Sequence, residues 1–162
     1  MKLLSSQKIA QKVHRIAIEI LERNWDEQEL YIVGVNNAGM VLAQLLHTFL
    51  TKESKSVKIY LGNILINPKN PIEQKIKVQE GTPEFTDKVV IIVDDVANTG
   101  RTLLYAIKPF LDLIPKKIQT AVLVDRKHKS FPVCVDYVGL SLATTMRENI
   151  EVKFGKTLEE SE

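Results

Sequence analysis

The apolar positions of the chain change period several times, and each change marks an element. Over residues 5–24, Ile9, Val13, Ile16, Ala17, Ile20 and Leu21 recur three and four apart. That spacing is one face of an amphipathic packing helix, with Ser5 or Ser6 placed to cap it. The run Tyr31, Ile32, Val33, Gly34, Val35 predicts a strand, Asn36-Asn37-Ala38-Gly39 a loop, and Met40 to Leu50 a second helix. A further strand is expected at residues 57–61. Residues 62–87 then change character: Pro68, Pro71 and Pro83 punctuate an alternation of Ile72, Gln74, Ile76, Val78 and Glu80, which predicts a β-ribbon or a mobile flap.

The pattern tightens at residues 88–93, Lys-Val-Val-Ile-Ile-Val, an almost wholly apolar run of the kind that lies inside a parallel sheet covered on both faces. Two acids end it, Asp94 and Asp95. A helix is expected from about residue 102 to 113, kinked at Pro109 and stopped near Pro115, followed by strands at 119–124 and 133–138. Strands alternating with helices indicate right-handed βαβ units and a mostly parallel α/β sheet flanked by helices. The chain of 162 residues is the size of one domain, read as 1–162 with a flap at 62–87 and an acidic tail at 156–162.

Composition narrows the function classes. The 22 basic and 20 acidic side chains leave a net charge of +2, so bulk charge argues nothing about nucleic acid. The apolar runs fall far short of the ~20 residues that span a bilayer, and with no apolar leader at the N-terminus a cytoplasmic location is expected. The single cysteine, Cys134, has no partner for an internal disulfide and is expected as a small buried side chain in a strand. Trp25 is expected to pack behind the first helix. His14, His47 and His128 have no ligand spacing to one another, so none marks a metal site.

The chemistry concentrates in Asp94-Asp95-Val96-Ala97-Asn98-Thr99-Gly100-Arg101-Thr102, at the carboxyl end of the apolar strand, where open α/β sheets bind ligands. Gly100 permits a tight turn, Thr99 and Thr102 supply hydroxyls, and the helix start presents unpaired N–H groups, which together cradle a phosphate. Carboxylates at the other end would repel a phosphate but accept hydrogen bonds from vicinal hydroxyls and attract Mg²⁺. A ribose 5-phosphate has hydroxyls at one end and phosphate at the other. A lone Asp-Asp pair would read as a solvated turn; the whole nonapeptide after an apolar strand does not. A receiver domain would carry its acids at the first strand, and no Walker loop is present, because Gly155-Lys156-Thr157 has Ile150 where the upstream glycine belongs.

An apolar strand, two acids, three variable residues and Thr-Gly-x-Thr resemble the phosphoribosyl pyrophosphate (PRPP) motif of the type I phosphoribosyltransferases. The resemblance covers nearly the whole chain and is greatest to the pyrimidine operon attenuator and uracil phosphoribosyltransferase group. Arg15-Ile16-Ala17, Glu22-Arg23-Asn24, residues 122–128 and residues 135–139 are similar to that group's segments. It implies the type I fold with a flap or hood, Mg²⁺ as cofactor, PRPP and a nucleobase or nucleotide as partners, and a homodimer or higher homo-oligomer. It implies further that Asp94 and Asp95 hold the ribose hydroxyls, and the metal indirectly through ribose or water. Ala97, Asn98, Thr99, Gly100, Arg101 and Thr102 would wrap the 5-phosphate, Asn36, Asn37, Ala38 and Gly39 would form the pyrophosphate loop, and Arg126, Tyr137 and Val138 would flank the base or pyrophosphate.

The implied reaction is displacement of pyrophosphate from C1 of PRPP by a base nitrogen, uracil being the base suggested, in pyrimidine salvage. The alternative is an RNA-binding attenuation regulator that senses PRPP or nucleotide with little turnover. Three departures from the group bear on the choice. Asn37-Ala38-Gly39 stands where the group has Thr-Arg-Gly, so no cation meets the leaving group there. Asn98 stands where the hypoxanthine-guanine members have an aspartate, and an amide cannot act as that base. Residues 60–65 carry no charge where the group has a Leu-Tyr-Arg-Asp-Asp-like segment. The basic cluster Arg126, Lys127, His128, Lys129 reads equally as a solvated turn or as part of the site.

Overall fold

The computed structural model describes residues 4–79, 84–143, 152 and 154. In chain order the elements are α1 (Ser6–Arg23), β1 (Glu29–Val35), α2 (Asn36–Glu53), β2 (Lys58–Ile64), β3 (Val78–Gln79), β4 (Val89–Ala97), α3 (Arg101–Ala106), α4 (Lys108–Leu111), β5 (Lys117–Arg126) and β6 (Tyr137–Leu142). The strands form one sheet in the order β3-β2-β1-β4-β5-β6, parallel except for β3. Chain order runs outward in one direction from β1 to β2 and in the other from β4 to β6. The reversal lies between β1 and β4, the position at which ligand crevices open in such sheets.

Strand alternation sorts the core into two layers. Leu30, Ile32, Val89, Ile91, Val93, Ala121 and Leu123 face α1 and α2. Tyr31, Val33, Val90, Ile92 and Val122 face the other way, toward Leu103, Ala106 and Phe110 of the α3–α4 arm. Helix α1 contributes Ile9, Val13, Ile16, Ala17 and Ile20, the predicted stripe, and Ser5 caps it by accepting the Lys8 N–H at 3.3 Å. Each such fully buried aliphatic side chain stabilises the fold by roughly 1.5–3 kcal/mol.

Several boundaries differ from the sequence expectation, each for a physical reason. Asn36 to Gly39 are no separate loop: β1 passes directly into the first turn of α2, through Asn36 at φ +55°. Strand β4 continues through both acids to Ala97, because Asp94, Val96 and Ala97 pair with Val122, Val124 and Asp125 of β5. The helix expected at 102–113 is broken at Ile107, where Pro109 lacks an N–H and its ring would collide with the carbonyl of Tyr105. The strand expected at 133–138 begins only at Tyr137; before it, the Asp136 carboxylate accepts the Thr120 N–H at 2.9 Å in place of a backbone carbonyl. Cys134 is consequently exposed and outside any strand. Trp25 is 81% exposed and does not pack. The acidic tail lies outside the described residues.

The described part of the segment 62–87 is partly ribbon, and Glu80 and Pro83 lie outside the described residues. Gly62 to Ile64 end β2, Val78–Gln79 pairs antiparallel with Asn63 and Ile64, and Ile66, Ile76, Val78 and Phe85 are buried in the second layer. At the other edge of the sheet, α1 covers β6: Arg15 donates to the carbonyls of Val138 and Gly139 at 3.0 and 2.9 Å, and Lys12 to Gly139 at 3.3 Å. Beneath it lies a buried polar knot. Tyr137 Oη donates to Gln119 at 2.8 Å, and Asn24 Nδ2 donates to Ile20 O at 2.9 Å and to Gln119 at 3.1 Å. Replacing Tyr137 with Phe is expected to lower unfolding stability by about 1–3 kcal/mol, since buried Asn24 and half-buried Gln119 are each left with one partner fewer. Urea denaturation of both proteins measures the difference.

Candidate functional site

Two chain passages meet at the carboxyl ends of β1 and β4. At Gly39 a Cβ would lie 2.6 Å from the carbonyl oxygen of Val93 and 3.3 Å from both Cα and Oδ1 of Asp94. Only a residue without a side chain lets the first turn of α2 rest on the end of β4. The N-cap of α2, Val35, provides no side-chain acceptor, so the first-turn N–H groups are left to other partners. These belong to an 18-residue helix whose dipole is positive at this end. Asn36, Asn37, Ala38 and Gly39 thus stand beside Asp94, as a pyrophosphate loop would have to stand beside ribose-binding acids.

Asp94 is 8% exposed and Asp95 half-buried. Burial pushes the Asp94 carboxyl well above the ordinary carboxylate value, and its neighbour Asp95 pushes it further. The Asp95 N–H, which donates to Asp94 Oδ1 at 2.9 Å, opposes that shift. Ionising such a buried acid is costly, and strongly shifted carboxyls of this kind concentrate at functional sites.

Beyond Ala97 the strand gives way to a loop exposed at Asn98 and Thr99 and turned by Gly100 at φ +87°. A Cβ at Gly100 would meet Lys129 Cδ and Val133 Cβ at 3.4 Å, so the loop is braced from outside as well as bent from within. The brace is residues 128–133: the Thr99 carbonyl accepts the N–H groups of Ser130 and Phe131 at 3.0 and 3.1 Å. The Thr99 hydroxyl accepts the Arg101 N–H at 3.3 Å, and Leu104 N–H closes on Gly100 O at 3.0 Å. Arg101 and Thr102 begin α3, half-buried.

The remaining expected residues divide. Arg126 ends β5, one position beyond Asp125, which pairs with Ala97, and so lies at the same sheet edge as the acids. Val138 is level with Asp94, in the register Asp94, Val122, Val138 across three strands. The Tyr137 side chain faces away from the acids: its ring is fully buried in the α1 layer, with Arg23 over its face at 5.0 Å and its hydroxyl on Gln119. Strand alternation is the reason, since Tyr137 and Val138 point to opposite faces of β6. Lys129, read only as one of a basic cluster, pairs with Asp125 and with the Arg126 carbonyl, beside Gly100. Asn63, read from the sequence only as part of the flap segment, lies in β2, donates to the carbonyl of Gly34 at 2.9 Å and stitches the end of β2 to β1.

Residues 2–156 match the family described as Phosphoribosyl transferase domain. The chain belongs to that family. A relative named Bifunctional protein PyrR, from Deinococcus radiodurans, is 38% identical over 96% of this chain and 88% of its own length. Another of that name, from Bacillus cereus, is 36% identical over 95% and 90%. Among solved structures, a hypoxanthine-guanine phosphoribosyltransferase from Bacillus anthracis has a TM-score of 0.72 at 22% identity, covering 86% of this chain and 80% of that one. The hypoxanthine phosphoribosyltransferase of Trypanosoma cruzi has the same score and coverage at 19%. At those identities the structures establish the fold alone. The resemblance read from the acids and the Thr-Gly-x-Thr loop is therefore borne out, as are the α/β class and the phosphoribosyltransferase function. No helix among the described residues is long and apolar enough to cross a membrane.

For this phosphoribosyltransferase the elevated Asp94 value has a stability consequence. A carboxyl whose native value lies above its unfolded value of ~3.9 costs nothing below that unfolded value; the cost builds as pH rises from there to the native value and is constant above it. Asp94→Asn is expected to melt several degrees higher than the wild type near neutral pH, with the two curves converging on acidification. Thermal melts across pH measure it, and a variant that is less stable at every pH would refute the assignment.

Proposed function

We propose that the protein transfers the phosphoribosyl group of PRPP to a nucleobase, uracil first among the candidates, with release of pyrophosphate. The observation that carries this reading is the contact of Gly39 with Val93 and Asp94, by which the first turn of α2 lies against the acids that end the apolar strand. In that arrangement Asp94 and Asp95 accept the ribose hydroxyls, the backbone of residues 97–102 and the Thr99 and Thr102 hydroxyls bind the 5-phosphate, and the α2 N–H groups bind the pyrophosphate. The last point answers the missing loop cation: at Ala38 the group's arginine is absent, and backbone amides with the helix dipole serve instead. Ionised Asp94 and Asp95 also oppose the positive charge that develops on the ribose ring as the C1–pyrophosphate bond lengthens. The base nitrogen then bonds to C1 and pyrophosphate leaves with the bond's electron pair.

The donor set suits Mg²⁺ only as a substrate-borne ion. Among the described residues no three His, Cys, Asp or Glu side chains cluster as a metal cage. Mg²⁺ is commonly held by one or two carboxylates together with substrate phosphates and waters. Asp94 and Asp95 would hold it through ribose oxygens or water, and its charge would stabilise the leaving pyrophosphate. Arg126 at the end of β5 and Val138 on β6 lie on the side from which the base would approach.

The test is pyrophosphate release from PRPP with Mg²⁺ and each base in turn. Turnover on one base is expected, and Asp94→Asn with Asp95→Asn should reduce it at least about 100-fold, the scale of removing an electrostatic partner of the transition state. Unchanged turnover in the double variant would sink the assignment.

A second reading is an RNA-binding regulator, and one observation favours it. A surface cavity of about 600 Å³ on α1, away from the crevice, is lined by Leu4, Lys8, Gln11, Lys12, Arg15 and Leu140. Relatives named Bifunctional protein PyrR leave room for such an activity beside the transfer. RNA affinity should then fall steeply with salt, and Lys8→Ala with Lys12→Ala should flatten the log–log slope by about 2. Absence of binding to any RNA at low salt would dispose of this reading.

A further inference from the structure

The loop between Ile66 and Ile76 is a small preformed body hung between two buried ends. Ile66 and Ile76 are 5% and 8% exposed, whereas residues 67–70 and 72–75 are open to solvent. The loop is folded on itself: the Asn67 side chain accepts the Lys69 N–H at 3.0 Å and donates to the Glu73 carboxylate at 2.8 Å. The carbonyls of Asn67 and Asn70 accept the N–H groups of Asn70 and Glu73, each at 3.1 Å.

Two side chains reach this segment from the loops assigned above to the phosphates. Asn36 makes a two-way pair with Ile66, donating Nδ2 to its carbonyl at 2.9 Å and accepting its N–H at 2.8 Å. Arg101 donates its guanidinium to the carbonyl of Pro68. The two tethers differ in kind. The Asn36 pair is neutral, part-buried and doubled, and breaking it leaves a backbone donor and acceptor without partners. The Arg101 contact is exposed and joins a cation to a neutral carbonyl.

A phosphate is a better partner for a guanidinium than a peptide carbonyl is: charge-assisted hydrogen bonds to an anion are shorter and stronger, and two can form in parallel. Arg101 belongs to the same turn as Thr99, Gly100 and Thr102. We propose that Arg101 is a positioning residue, a latch that holds the 67–75 loop by Pro68, and that a phosphate seated at Thr99, Gly100 and Thr102 takes the guanidinium away. The loop is then free at its Pro68 end while it stays hinged at Ile66 by Asn36, and it can swing across the crevice that has just been filled. This deepens the phosphate-loop reading and rests on it.

The test is hydrogen exchange of the full-length protein, read at the amides of Ile66, Lys69, Asn70 and Glu73, with ribose 5-phosphate as the probe and its binding measured by calorimetry on the same samples. In the wild type, saturating ribose 5-phosphate should raise exchange at Lys69, Asn70 and Glu73 about tenfold, the loss of one ordinary tether, and leave Ile66 protected. In Arg101→Ala and in Arg101→Met, which keeps an unbranched stem, exchange should already be raised without ligand and should not respond to it. Ligand-free variants exchanging at the wild-type rate would overturn the latch, and so would a wild-type loop that stays slow with ribose 5-phosphate bound. A wild type that fails to bind ribose 5-phosphate, with the variants' exchange still raised, would instead overturn the phosphate-loop reading and the release step together.

Discussion

The site depends on one close approach. With no side chain at Gly39, the start of α2 lies against β4, and two segments more than fifty residues apart come into contact. A methyl group there would have to occupy the space of the Val93 carbonyl. Because that carbonyl belongs to a strand paired on both sides, neither partner can give way cheaply. The position of the first helix turn beside the acids is a consequence of where these two backbones touch.

Much of this was legible in the sequence because periodicity reports burial. The α1 stripe and the apolar run of β4 are each explained by a single face, or two faces, of core. The 94–102 motif was legible for another reason: its residue types are constrained by chemistry as well as by packing. What was missed is tertiary. Cys134 and Trp25 look apolar in composition yet stand exposed, since nothing local says which side of a turn meets solvent. Tyr137 sits in a segment similar to family members, but its alternation turns it toward Asn24 and Gln119 and away from the crevice. The pairing of Asn36 with Ile66 crosses thirty positions, and no local pattern announces it.

Asp94 shows how the fold and the site pull against each other. A buried carboxyl beside another acid is costly to ionise. That cost is tolerated because β4 is central, paired with β1 over residues 90–93 and with β5 from Val89 to Ala97, and packed on both faces. A peripheral strand with half as many partners would not hold such a group in place. The costly acid therefore sits at the end of the strand best able to carry it.

The covering of β6 by Arg15 and Lys12 has a consequence for how copies of this chain can meet. An open strand edge invites another chain to continue the sheet. Here the carbonyls of Val138 and Gly139 are already engaged by cations from α1, and the opposite border ends in a strand of only two residues. Among the described residues neither border offers a ready template for strand addition. Any contact between copies of this chain would then run through helical faces or loops, with each sheet ending inside its own molecule.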